Sequence, residues 1–293
     1  MPYATASDGT KLYVKDWGSG RPVVLIHGWP LSADSWDQLA VPLVEAGHRV
    51  VAYDRRGFGR SDQPWDGYDY DTFADDLKAV MDAADLSGDA ALVGFSMGGG
   101  EVARYLSRHG AQGIDRVALI GSVVPYLLRT EDNPDGAPQS VFDQMEEQMR
   151  DDRAKFLETF FKQFFGVGFI SQPVSDATLH MANVVALQSG LRPMLAAAKA
   201  FASTDFRPDL SAFTVPTLII HGTSDKTVPI DATARAAARA IPGSQLIEYD
   251  GSPHGLFATD RERLTADLLT FLGGGGASAF SFEGAQAEQP LSY

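Results

Sequence analysis

The chain has 293 residues, 44% of them hydrophobic and 21% charged, which suits one large soluble α/β domain with a sizeable core. Its formal net charge of −14 disfavours nucleic acid and anionic membranes as partners. The lack of any cysteine excludes disulfides, thiolate metal sites and a cysteine nucleophile. No signal-peptide pattern and no apolar run of membrane-spanning length occurs, so a cytoplasmic location is the expectation.

Taken in chain order, residues 3–17 read as a hairpin turning at Asp8-Gly9, with Leu12, Val14 and Trp17 beyond the turn. Short apolar runs follow at 23–27, 50–54, 90–96, 117–122, 217–222 and 245–250. Helical patterns at 35–46, 72–84, 99–108, 230–240 and 260–272 alternate with them. Strands of this kind separated by helices predict a mostly parallel sheet covered on both faces, with ligands at the carboxyl ends of the strands. His27, Asp54, Ser96, Ser122 and the loop after Gly222 fall there. Between 122 and 217 no strand pattern is evident, only helical segments near 141–165 and 175–201 that carry Phe142, Phe156, Phe160, Phe161, Phe164 and Phe165, with Phe169 between them. The expected organisation is a core of 1–122 and 205–272, a helical cap of 123–204, and a Gly-rich linker and tail at 273–293 that reads as disordered. No internal repeat is present.

The segment Gly94-Phe95-Ser96-Met97-Gly98 ends one strand pattern and opens a helix, which is the context that gives a G-x-S-x-G pattern its meaning. A sharp turn there lifts the Ser96 hydroxyl above the sheet and sets the Met97 N–H at a helix start. A serine needs a base, and the base needs an orienting carboxylate. Of six histidines, His48, His109 and His180 read as surface or cap residues at helix ends, and His221 as a buried structural residue of a strand. His254, in Gly251-Ser252-Pro253-His254-Gly255 before the last helix, is the expected base, and Asp225, after the 217–222 strand, the carboxylate. His27-Gly28-Trp29-Pro30 supplies the second oxyanion donor, the Trp29 N–H beside that of Met97. Pro30 has no N–H to give, and its ring directs the Trp29 carbonyl toward a small protic nucleophile. Phe142, Phe160 and Phe164, with Trp29, are the candidates for an aromatic pocket facing Ser96.

Together, His27-Gly28-Trp29-Pro30-Leu31, the run from Tyr53 to Trp65, Tyr70 to Leu77, Gly94 to Gly100, Thr204 to Pro208 and Pro253-His254-Gly255 resemble the bacterial cofactor-free (non-haem) chloroperoxidases and aryl esterases of the α/β-hydrolase superfamily, over all but the tail from Gly273. The resemblance implies the α/β-hydrolase fold, no cofactor and no metal. It also implies ester hydrolysis, and acyl transfer to hydrogen peroxide from a carboxylic acid or ester to give a peracid that oxidises halide. It is compatible with a homo-oligomer, and it implies that Pro30 goes with peroxide use. The residues alone support acyl transfer and leave the choice of peroxide to the resemblance. Ser96 disfavours the halide- and epoxide-opening relatives, which carry Asp there. Lyases, carbon–carbon bond hydrolases and a ligand receptor that keeps the three residues stay open. A dinucleotide fingerprint, a P-loop and H-E-x-x-H are missing, and the acidic run 66–76 reads as a helix start capped near Thr72 and Asp75 rather than a calcium loop.

Overall fold

The computed structural model describes residues 2–86 and 88–273. Eight strands form one sheet: β1 (Tyr3–Thr5), β2 (Lys11–Gly18), β3 (Arg21–Ile26), β4 (His48–Tyr53), β5 (Ala90–Phe95), β6 (Ile114–Ile120), β7 (Thr217–Gly222) and β8 (Gln245–Tyr249). Their spatial order is β1-β2-β4-β3-β5-β6-β7-β8, antiparallel at β1/β2 and β2/β4 and parallel from β4 to β8. The chain places β4 on one side of β3 and β5 on the other. The order therefore reverses at β3/β5, where loops diverge and leave a crevice. β5 and β7 are buried along their whole length, as expected of Val/Ile/Leu strands covered on both faces.

The helices are α1 (Asp37–Glu45), α2 (Tyr70–Ala83), α3 (Met97–His109), α4 (Gln139–Phe164), α5 (Asp176–Leu187), α6 (Leu191–Ser203), α7 (Ala234–Ala240), α8 (Leu256–Thr259) and α9 (Arg261–Leu272). α1 packs on α9 on one face of the sheet, and α2 and α3 pack together on the other. α4, α5 and α6 are all inserted between β6 and β7. No helix among the described residues is long and apolar enough to cross a membrane. The expected tail beyond Gly273 lies outside the described residues.

Several local expectations differ from the structure. α2 is capped by Asp69, whose carboxylate accepts from the Thr72 N–H at 2.9 Å, so Thr72 sits inside the first turn and is not itself the cap. The segment 175–201 is two helices. Ser189 and Gly190 break it because Ser189 Oγ donates to the Gly57 carbonyl at 2.6 Å and the Gly190 N–H to Gln63 Oε1 at 2.8 Å. α4 is kinked at Asp152, which leaves helical geometry and caps the second half through the Lys155 N–H at 3.0 Å. His48 opens β4 and is buried, not on the surface. His109 closes α3 against Asp75, and His180 is exposed on α5.

Candidate active site

Ser96 stands between β5 and α3 with φ 54° and ψ −119°, a left-sided backbone conformation that a residue with a Cβ adopts only under strain. Its backbone is over-determined: the N–H donates to the Ile120 carbonyl at 2.8 Å, and its carbonyl accepts from Gly99 at 3.0 Å and Val123 at 3.3 Å. Gly98 allows the turn, since a Cβ there would lie 2.4 Å from the Ile26 carbonyl oxygen.

Three loops at the carboxyl edge converge on this serine. The loop after β8 brings His254, whose Nε2 lies 2.9 Å from Ser96 Oγ. The loop after β7 brings Asp225, whose Oδ2 lies 2.6 Å from His254 Nδ1. His254 is buried, and its ring is held between Phe95 (centroids 4.9 Å apart) and the edge-on Phe164 (4.8 Å, 85°). Asp225 accepts the N–H groups of Thr227 and Val228 on Oδ1, both at 2.8 Å. Burial opposes its ionisation, but the charge of His254 and the hydrogen bonds of His221 and His254 outweigh that and hold its carboxyl well below the usual range. The carboxylate is therefore charged wherever the protein is folded near neutrality.

The loop after β3 passes on the other side. A Cβ on Gly28 would meet the Phe95 ring at 2.7 Å and Ser96 Cβ at 2.9 Å, so only glycine lets this loop lie so close to the serine. Trp29 and Met97 are both buried, and among the described residues neither backbone N–H has an acceptor. The Trp29 indole donates to the Met194 carbonyl on α6 at 3.1 Å, and the Trp29–Pro30 peptide is cis.

A cavity of about 210 Å³ includes Ser96 and Trp29 in its wall, with Phe142, Phe156, Phe160 and Phe201 as aromatic lining. Gln144, Gln148, Gln163 and Lys226 add polar groups, Lys226 being the one charged residue among those lining it. One expected pocket residue is not part of that wall. Phe164 is fully buried beneath His254, because its side chain leaves α4 on the side of the His254 ring rather than that of Gln163, and the last turn joins the His254 loop through the Gly255 N–H, 2.9 Å from the Phe164 carbonyl. Pro30 is buried and does not line the cavity, whereas the preceding Trp29 does. Phe169 is fully exposed and contributes nothing to the pocket.

The residues that sequence reading passes over are those beneath the loops. His221 shares Asp225 Oδ2 with His254 at 3.1 Å. Arg55 and Glu101, both fully buried, pair at 2.7 Å, and Arg55 also donates to the His27 carbonyl at 2.8 Å and, through its N–H, to His27 Nε2 at 3.0 Å. Burial and the neighbouring Arg55 charge hold the His27 imidazole well below its usual range, so it is neutral and ties the loop after β3 to Arg55, whose guanidinium in turn pairs with Glu101 on α3. Asp54 accepts from Ala33 and Arg60 and anchors a loop rather than facing the cavity. Among the described residues, no cluster of three or more histidine or carboxylate side chains is grouped as for a metal ion.

Comparison with known proteins shows the fold and the family. A family model described as alpha/beta hydrolase fold matches residues 21–260. The chain is 43% identical over 278 residues to a non-heme chloroperoxidase of Kitasatospora aureofaciens, covering 93% of this chain and 99% of that protein. It is 39% identical over 275 residues to a bifunctional esterase/perhydrolase of Acinetobacter calcoaceticus, with 93% and 99% covered. Among solved structures, a bromoperoxidase from Bacillus anthracis superposes with a TM-score of 0.88 at 45% identity, covering 92% of this chain and 99% of that one. The chain belongs to the alpha/beta hydrolase fold family, in the branch of the non-heme haloperoxidases.

Proposed function

We propose that this protein is a serine hydrolase of small aryl and alkyl carboxylic esters that also passes its acyl group to hydrogen peroxide. The observation that carries the reading is the unbroken chain Asp225–His254–Ser96, with links of 2.6 and 2.9 Å, opening on an aromatic cavity. His254 Nε2 takes the hydroxyl proton as Ser96 Oγ attacks the ester carbonyl. The free N–H groups of Trp29 and Met97 receive the oxyanion, and Asp225 stabilises the imidazolium. The alcohol leaves with the proton from His254, and Ser96 keeps the acyl group. Water then yields the carboxylic acid, whereas hydrogen peroxide yields a peracid, and either returns a proton to Ser96. A free carboxylic acid loads Ser96 by the reverse of the hydrolytic half.

A released peracid oxidises bromide or chloride in solution and reverts to the carboxylic acid, so no metal or cofactor enters the cycle. The peroxide half of the proposal draws support from the relatives named chloroperoxidase and esterase/perhydrolase. It draws support also from the Trp29 carbonyl, to which nothing donates among the described residues, so that it stands ready to accept from a small protic nucleophile. In this reading, 1–122 with 205–272 carries the chemistry, and 123–204 acts as the cap whose aromatics set acyl size.

The experiment is hydrolysis of para-nitrophenyl acetate by wild type and Ser96→Ala, followed by acetate, peroxide and bromide with a halogenation-sensitive dye. Ester turnover lost in the variant, with metal-independent dye halogenation by wild type, is the expected result. Ester turnover without halogenation would leave a plain esterase. The absence of both from folded protein would replace the reading with a lyase or a receptor.

A further inference from the structure

A second imidazole bears on the carboxylate of Asp225. His221, at the carboxyl end of β7, is fully buried, and its Nε2 lies 3.1 Å from Asp225 Oδ2 and 3.0 Å from the Val228 carbonyl oxygen. Both neighbours are acceptors, so Nε2 carries the ring proton. Nδ1 is buried with no partner among the described residues, which makes it the bare nitrogen of a neutral ring. A polar atom left unpaired in the interior is destabilising, and an apolar side chain would fill the same strand position without that cost. The ring is accounted for by what its other nitrogen does.

Asp225 Oδ2 thus accepts the His254 N–H at 2.6 Å and lies 3.1 Å from His221 Nε2, whose single proton it shares with the Val228 carbonyl at 3.0 Å, while Oδ1 is occupied by two backbone N–H groups. The charged groups nearby are Glu248, paired across the sheet with His221 in β8 and held by Arg235 at 2.6 Å, and the exposed Lys226, next to Asp225 in the chain. A hydrogen bond given to an ionised carboxylate lowers its appetite for a further proton. We propose that His221 is a positioning residue of the acyl-transfer reaction, which pins Asp225 Oδ2 and draws off part of its charge, and so sets how tightly His254 holds a proton. This rests on the reading of Ser96, His254 and Asp225 given above.

With the His221 donor removed, Oδ2 attracts the His254 proton more strongly, and the resting enzyme accumulates imidazolium at a higher pH. The acid limb of the kcat/KM profile for para-nitrophenyl acetate should move to higher pH by about 0.5–1 unit in His221→Leu, a shift that one hydrogen bond to a charged group can supply. His221→Gln, whose amide nitrogen can reach the position of Nε2, should restore the wild-type limb. ¹⁵N NMR of histidine-labelled wild type should show this ring protonated on Nε2 and bare on Nδ1, a test that needs no variant to fold. A limb unmoved in His221→Leu, a limb moved equally in both variants, or an Nδ1-protonated ring would overturn the proposal. Ser96→Ala, measured alongside, separates the two levels. If it is inactive while the limb fails to move, the role of His221 alone is wrong; if it is active, the underlying assignment is wrong.

Discussion

Gly28→Ala tests the geometry of the oxyanion loop while leaving every group proposed to take part in the chemistry chemically unchanged. The added methyl would stand 2.7 and 2.9 Å from two atoms of the Phe95 ring and 2.9 Å from Ser96 Cβ, where ordinary contact begins at 3.4 Å. The loop or the ring must therefore give by about 0.7 Å at the tightest contact. Phe95 cannot retreat freely, since it packs on Trp36, Phe164, Phe257 and His254. The loop is the part that moves, and it carries the Trp29 N–H. Displacements approaching 1 Å in a positioned group cost about 10²-fold in rate, and the loss of one oxyanion donor costs about 10²–10³-fold. We expect kcat for para-nitrophenyl acetate to fall about 100-fold with KM nearly unchanged, and overpacking to cost about 1–3 kcal/mol of stability. Stopped-flow hydrolysis and urea titration read the two quantities separately. A variant that is destabilised yet retains full kcat would refute the placing of the oxyanion donor on this loop.

Other perturbations test neighbouring parts of the account. Ser96→Gly and Ser96→Ala should both lose ester turnover, but the glycine variant should be the more stable by about 1 kcal/mol, because it alone relieves the strain at φ 54°; equal urea midpoints would argue against stored strain. Phe160→Ala should shift preference toward longer acyl chains by enlarging the cavity, whereas Phe164→Ala should lower kcat with little change in chain preference, since its ring supports His254; a panel of para-nitrophenyl esters distinguishes the two. His27 is held neutral when folded, so below about pH 6.5 the unfolded chain takes up a proton that the folded chain refuses, and stability falls as pH drops. Asp225 works in the other window: its lowered value makes its contribution complete above the ordinary carboxylate range and lost only as pH falls below it. Between pH 6.5 and 5, wild type should therefore lose up to about 1.4 kcal/mol per pH unit more than His27→Gln, and parallel urea midpoints in the two proteins would count against a buried neutral His27.

The parts of this site that sequence made legible are those set by local pattern. Ser96, Asp225 and His254 each follow an apolar run of strand type, and in a parallel sheet the carboxyl ends of such runs meet at one edge. Trp29 was recoverable in the same way, since Gly28 announces a close backbone approach. What stayed hidden depends on which face of a buried ring meets what. His221 has the burial pattern of any core strand residue, and only the turn of the chain through Thr223 and Ser224 brings Asp225 back onto its Nε2. The Gly222-to-Asp225 spacing was the available signal. Arg55 and Glu101 are 46 residues apart and look like surface charges until the sheet and α3 enclose them. Phe164 lies one helical turn from Phe160, so periodicity alone assigns both to one wall. The last turn of α4, tied to Gly255, instead puts Phe164 beneath the base.

The central claim is a covalent acyl group on Ser96, and intact-protein mass spectrometry on quenched reactions tests it most directly. Wild type mixed with para-nitrophenyl acetate should gain the mass of one acetyl group within the first turnovers, with the label mapped to the peptide holding Gly94 through Gly100. Hydrogen peroxide should discharge it faster than water alone. No acyl adduct in an actively turning-over enzyme, or an adduct that survives Ser96→Ala, would contradict the account.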